Sequence, residues 1–164
     1  MQQARQVSLF ITITLWAIII GGIMYSHIVY FPPYFSHLPE SNKLITGEYG
    51  LQEGNFWMLV HPLAILSIII TLLLNWKLQA RRKFILITFG IYALVILVTA
   101  TYFLPGLMAF AKSGNSTTVT ASEWYQRGQT WQHLSWIRGS FMLLGFLMLL
   151  MALIKDKQRA VNNP

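Results

Sequence analysis

The sequence predicts an all-α fold, an integral membrane four-helix bundle with up-down connections, formed as one domain over residues 1–164. Hydrophobic residues make up 55% of the chain and charged residues only 10%, whereas ordinary soluble domains carry about 25% charged residues. A chain of this length cannot bury so much apolar surface in a soluble core. The apolar residues also collect in four stretches, each close to the roughly 20 residues that cross a bilayer.

The four predicted spans cover about residues 9–31, 56–76, 84–104 and 135–154. The first apolar run is too long for the h-region of a signal peptide, so we predict a helix there. After it, FPPYFSHLPES contains three prolines, and we expect the chain to leave the helix there and turn. Ser122 followed by Glu123 predicts that helix four begins near residue 122, outside the membrane.

Basic residues beside the spans predict the orientation of the bundle. They lie before span one, in the link between spans two and three, and in the C-terminal tail: Arg5, Lys77, Arg81, Arg82, Lys83, Lys155, Lys157 and Arg159. By the positive-inside rule these segments are cytoplasmic, and the links 32–55 and 105–130 are outside. We therefore expect both termini inside, in the inner (plasma) membrane of a bacterium. The net charge of +7 then belongs at a membrane surface, so the expected partner is the lipid bilayer and not nucleic acid.

Polar and ionisable side chains gather at one depth near the outer ends of the spans. His27, His61 and His133 lie there on spans one, two and four, and Arg138 lies about a turn deeper. Because charged groups at this depth are costly unless paired or hydrated, their convergence predicts an outward-opening polar pocket. Taken one at a time, these residues have simpler explanations. His27 could bond a neighbouring backbone carbonyl, His61 could lie in the first turn at the interface, and the long side chain of Arg138 could reach the phosphate level.

We predict catalytic roles for His61, His133 and Arg138 in this pocket. Aromatic residues at the same level are predicted to contact the substrate: Tyr30, Trp57, Tyr102 and Trp136. On helix four, His133 and Arg138 lie about 140° apart at 100° per residue, so they do not share a face. His133 shares a polar stripe with Gln126, Gln129, Trp136 and Ser140, and on helix three Thr88, Tyr92, Thr99 and Tyr102 share another.

The three histidines at one level, His27, His61 and His133, are also candidate ligands for a transition metal. No HxxxH or HExxH spacing occurs, so each ligand would come from a different helix. His27 and His61 could instead hold a haem between neighbouring helices. The predicted spans contain no Asp or Glu, so no Ser-His-Asp set is indicated. The residues leave open a haem, a transition metal or no cofactor.

Several short patterns spread over nearly the whole chain carry a family resemblance. Span one contains glycines and ends in a proline-marked exit, GGIMYSHIVYFPPYFSHLP; a polar residue precedes Pro62; span three ends in VTATYFLP; and span four opens with WQHLSWIRG, which includes Trp131, His133 and Arg138. This layout resembles the DUF1772 family of small four-span membrane proteins, which includes the fungal anthrone oxygenases. His27 is not part of the family pattern, and the residue before Pro62 is often Asn in that family.

The resemblance implies an oxidoreductase that oxygenates a flat, hydrophobic, phenolic small molecule within the membrane. A histidine would remove a proton to form a carbanion-like anion that reacts with oxygen, and Arg138 would hold the developing oxyanion. Two other classes stay open: a haem- or metal-binding accessory subunit of a membrane complex, and a non-catalytic lipid-binding or assembly protein. A homo-oligomer is compatible with each of them.

Overall fold

A computed structural model describes residues 1–46, 48–116 and 118–162, with side chains described as far as Lys155. The described part is helical and contains no β-strand, which confirms the all-α class. Its four long helices are α1, Gln2–Ser36; α2, Glu53–Leu74; α3, Gln79–Ala111; and α4, Ala121–Asn162. Each is long and apolar enough to cross a membrane. The predicted basic residues Lys157 and Arg159 lie outside the described side chains.

Helices α1 and α3 each contain one wide, π-helical turn that is followed by proline. In α1 the turn covers Ser26–Tyr30 and precedes Pro32 and Pro33, and in α3 it covers Thr99–Phe103 and precedes Pro105. A proline cannot donate to the carbonyl four residues earlier, and in each case that carbonyl belongs to the π turn, whose own bonds span five residues. The backbone N–H that each proline lacks is therefore missing at a place where the helix has already departed from the four-residue hydrogen-bond pattern.

The chain leaves the helix within FPPYFSHLPES, as predicted, but it does so after the first two prolines and not at them. The helix continues through Phe31–Ser36 and ends only at His37. The two prolines stand at the first turn of this last helical piece, where a backbone N–H is not needed and the fixed φ of proline suits a helix.

The long links of the chain meet at one end of the bundle, which we call the proline end. Residues 37–52 join α1 to α2, residues 112–120 join α3 to α4, and the Asn42 amide donates to the Ser113 hydroxyl at 3.0 Å. The other end, which we call the basic end, holds the N-terminus and the short link between α2 and α3. There the Arg5 side chain donates to the Leu74 carbonyl at 2.9 Å.

Helix α4 packs along both α1 and α3, and α1 also packs against α2. An apolar core runs through the body of the bundle, and a second, mainly aromatic core lies at the proline end. Glycines let the helices approach: a Cβ built on Gly145 would lie 2.5 Å from the Trp16 ring, and one on Gly22 would lie 2.6 Å from the Phe56 ring. The close fit of α1 against α2 and α4 positions the side chains of the site.

Candidate functional site

Polar side chains from all four helices come together between the two cores, towards the proline end. We call them the polar cluster, and its members are Ser26, His27, Glu53, His61, Tyr92, Thr99, Ser135 and Arg138. Hydrogen bonds and electrostatic interactions connect them. Arg138 lies at the centre of these interactions.

Arg138 is half-buried and is held by neutral groups. Its Nη1 donates to the Thr99 hydroxyl at 3.1 Å, and its Nη2 donates to the Ser135 hydroxyl at 2.8 Å. The guanidinium lies 4.2 Å from the centroid of the Phe103 ring and 6.0 Å from that of Trp131, within the range of cation–π attraction. Because hydroxyls and ring faces carry no net charge, these contacts fix the guanidinium without neutralising it.

The carboxylate that acts electrostatically on Arg138 is that of Glu53, the first residue of α2. Glu53 lies close enough to interact electrostatically with both Arg138 and Tyr30. Its carboxylate also forms a hydrogen bond with the Ser26 hydroxyl of α1. Glu53 therefore connects α1 and α2 at the level where Arg138 enters from α4.

His61 is half-buried, and two neighbours hold it. Its Nδ1 lies 2.7 Å from the Tyr92 hydroxyl, and its ring stacks on Trp57 with centroids 5.4 Å apart and planes at 23°. Tyr92 in turn packs against Trp16 in the apolar core. Arg138 is near enough for its charge to act on His61, so two residues predicted to be catalytic lie in one cluster.

His27 is 3% exposed and lies on the α1 side of the cluster. Its Nδ1 is bonded to the Ile23 carbonyl at 2.8 Å, and Arg138 also interacts with it electrostatically. Its ring lies 4.5 Å from the ring of Trp136, a predicted substrate contact. His27 is therefore a member of the cluster alongside His61.

His133 lies outside the polar cluster. It is exposed and lines a groove of about 230 Å³ between α1 and α4, together with Pro32, Gln129 and Trp136. Its polar stripe thus follows the surface of α4, while Arg138 points towards α3. Arg138 therefore belongs to the polar cluster, and His133 does not.

The predicted substrate contacts divide in the same way. Tyr30 is buried near Glu53, and Trp57 stacks on His61. Tyr102 is 45% exposed and lines a separate groove of about 440 Å³ between α3 and α4. Since Tyr102 belongs to the π turn, its direction no longer follows the α-helical stripe that joins it to Tyr92 in the sequence.

The three histidines predicted as metal ligands do not come together at one site. Among the described residues, no group of three or more His, Cys, Asp or Glu is placed to hold a metal ion. The predicted set is divided because His27 and His61 lie in the cluster and His133 lies on the surface.

Three members of the polar cluster were not predicted as site residues from the sequence: Ser26, Glu53 and Ser135. One signal could have found Glu53: it precedes Trp57 by four residues and His61 by eight, and residues four apart share a face of a helix. Ser135 has a similar signal, since it lies three residues before Arg138 on α4. Ser26 has none, because a single serine in an apolar helix most often bonds its own backbone.

No family model matches the chain, and no curated protein or solved structure is similar to it at a significant level. Its class is therefore defined by its own fold and site. It has four helices long and apolar enough to cross a membrane, and they enclose a polar cluster with a guanidinium at its centre.

Proposed function

We propose that this protein is a membrane-embedded oxidoreductase that binds a lipophilic phenolic molecule at the polar cluster and promotes its reaction with dioxygen. The observation that carries the proposal is Arg138, a guanidinium fixed by neutral partners at membrane depth. A cation held in this way is preorganised to bind an oxyanion, and such electrostatic stabilisation is strong where water is excluded. The resemblance of the sequence to the DUF1772 family supports the same chemistry.

In the proposed reaction, His61 accepts a proton from the substrate and Arg138 binds the phenolate or enolate oxygen that results. Tyr92 and Trp57 orient the imidazole, as a general base requires. The electron-rich anion then reacts with dioxygen: one oxygen atom enters the substrate, and the other leaves as water with the two hydrogens removed. The proposal assigns no catalytic role to His133, which lies in the α1–α4 groove.

We also propose that the four helices cross a bacterial inner membrane in an up-down order with both termini in the cytoplasm. The support is the charge distribution. Arg5, Lys77 and Arg81 lie at the basic end, and positively charged segments are retained on the cytoplasmic side. The polar cluster would then lie in the outer leaflet, where a lipophilic substrate can reach it from the lipid.

The proposal is tested by oxidation of anthrone by the purified protein in lipid nanodiscs, followed as oxygen consumption and as product absorbance. We expect Arg138→Ala and His61→Ala each to lower the rate by about 100-fold or more, since oxyanion and general-base contributions are of that order. His37→Ala is the matched control, because His37 is exposed in the link after α1. Activity that survives both cluster substitutions would contradict the proposal.

A further inference from the structure

His27 presents a buried nitrogen lone pair. A carbonyl oxygen can only accept a hydrogen bond, so the 2.8 Å contact with Ile23 requires His27 Nδ1 to carry a proton. In the neutral ring the other nitrogen, Nε2, is then an acceptor. Nε2 is fully buried, and it has no hydrogen-bond partner among the described residues.

An unpaired buried acceptor is unusual, because polar atoms inside folded proteins nearly always find a partner. Three contacts hold the His27 ring: Nδ1 is bonded to its own helix, and the centroids of the Phe31 and Trp136 rings lie 5.2 Å and 4.5 Å from its own. The arrangement fixes both the tautomer and the direction of the lone pair. Such a group is suited to accept a hydrogen bond from a bound molecule.

The α1–α4 groove lies next to His27. Trp136 lines this groove and also packs on the His27 ring, while Gln132 lines it and donates to the His27 carbonyl at 3.4 Å. Trp136 is 37% exposed, so its ring contacts both the groove and the buried imidazole.

We propose that His27 Nε2 accepts a hydrogen bond from a hydroxyl group of the ligand, which selects hydroxylated aromatic molecules over their hydroxyl-free analogues. The proposal rests on the proposed function and adds a specificity residue that the DUF1772 resemblance does not supply. Arg138 interacts electrostatically with the same ring. The ligand hydroxyl would therefore donate its hydrogen to Nε2 and direct its oxygen lone pairs to the cation, which suits a neutral phenol as the form that binds.

Binding of 2-naphthol and of naphthalene to the protein in nanodiscs tests the proposal, with empty nanodiscs to correct for partition into lipid. We expect wild type to prefer 2-naphthol, and His27→Asn to reduce that preference about 10-fold, the effect of one lost hydrogen bond at a buried site. Asparagine keeps an amide N–H near the position of Nδ1 and removes the Nε2 acceptor. Its longer homologue in His27→Gln places an amide oxygen near Nε2 and should restore part of the preference. His37→Asn is the control.

A second readout needs no variant. In wild type labelled with ¹⁵N-histidine, the His27 Nε2 resonance should shift when 2-naphthol is added and should stay in place with naphthalene. If the 2-naphthol preference is unchanged in His27→Asn while Arg138→Ala loses it, the His27 proposal is overturned and the proposed function stands. If wild type binds neither probe, both fail. A haem Soret band that disappears in His27→Asn would also overturn it, because Nε2 would then be a metal ligand.

Discussion

At the scale of single residues, the partners of Arg138 decide what it can do. Burial of a guanidinium is costly, and a direct carboxylate contact would both stabilise it and consume its charge. Here the contacts are two hydroxyls and the Phe103 and Trp131 rings, while the Glu53 carboxylate bonds to Ser26 and acts on Arg138 electrostatically. The guanidinium is therefore held in place with its charge still available to a ligand.

The Tyr92 hydroxyl gives a prediction at the same scale. Tyr92→Phe keeps the ring that packs on Trp16 and removes only the partner of His61 Nδ1. We expect the ¹⁵Nδ1 resonance of His61 to shift and the free energy of unfolding to fall by about 0.5–1.5 kcal/mol, as for one lost hydrogen bond. Anthrone oxidation should fall less than in His61→Ala. An unchanged His61 resonance would show that the two groups are not bonded in the protein.

The sequence could place these residues by depth but not by direction. The helical angle between His133 and Arg138 follows from their five-residue separation. Which of them faces the interior depends on where α3 lies. In the folded bundle α3 packs on the Arg138 side of α4, where Thr99 and Phe103 contact the guanidinium. Glu53 was visible in the sequence as the carboxylate nearest to span two, yet its approach to Arg138 depends on how α2 and α4 pack.

At the scale of helices, the two π turns show where prediction from pattern fails. Apolar runs were enough to find four long helices, because a span needs little more than length and hydrophobicity. The ends of α1 could not be found in this way, since proline usually marks an exit from a helix. In α1 a π turn at Ser26–Tyr30 lies just before Pro32 and Pro33, and the helix continues. The same turn carries Ser26 and His27 into the cluster.

The contact between α1 and α4 gives a prediction for helix packing. A Cβ on Gly145 would lie 2.5 Å from the fully buried Trp16 ring, so Gly145→Ala must displace that ring or separate the helices. We expect the free energy of unfolding in detergent to fall by about 1–3 kcal/mol, the usual cost of overpacking. The displaced Trp16 should also change its fluorescence.

Gly21→Ala is the matched control for Gly145→Ala, because no atom lies within 4 Å of a Cβ built there. Alanine is a better helix former than glycine, so this variant should be neutral or more stable by about 0.5–1 kcal/mol. Equal effects of the two substitutions would show that Gly145 does not mediate a close contact.

At the scale of the whole molecule, the two ends of the bundle differ in chemistry. The proline end contains the aromatic core with the polar cluster beneath it, and the basic end contains lysine and arginine near the helix termini. The sequence predicted the polar layer from depth along the spans and the basic end from the positions of Lys and Arg, whereas the aromatic core was not predicted. It also leads to a definite statement about topology: both long links should lie on one side of the membrane, and the α2–α3 link should lie on the other.

The absence of cysteine from the sequence makes this topology directly testable, because a single introduced thiol is then the protein's only one. We expect a membrane-impermeant maleimide to label Glu48→Cys and Asn115→Cys, in the two long links, in intact bacterial cells expressing the protein. Lys77→Cys, in the α2–α3 link, should react only after the cells are permeabilised, because positively charged segments stay in the cytoplasm. All three side chains are exposed, so unequal labelling reports the membrane and not burial. The reverse pattern would place the polar cluster in the inner leaflet, and labelling of all three in intact cells would show that α2 does not separate Glu48 from Lys77 across the membrane.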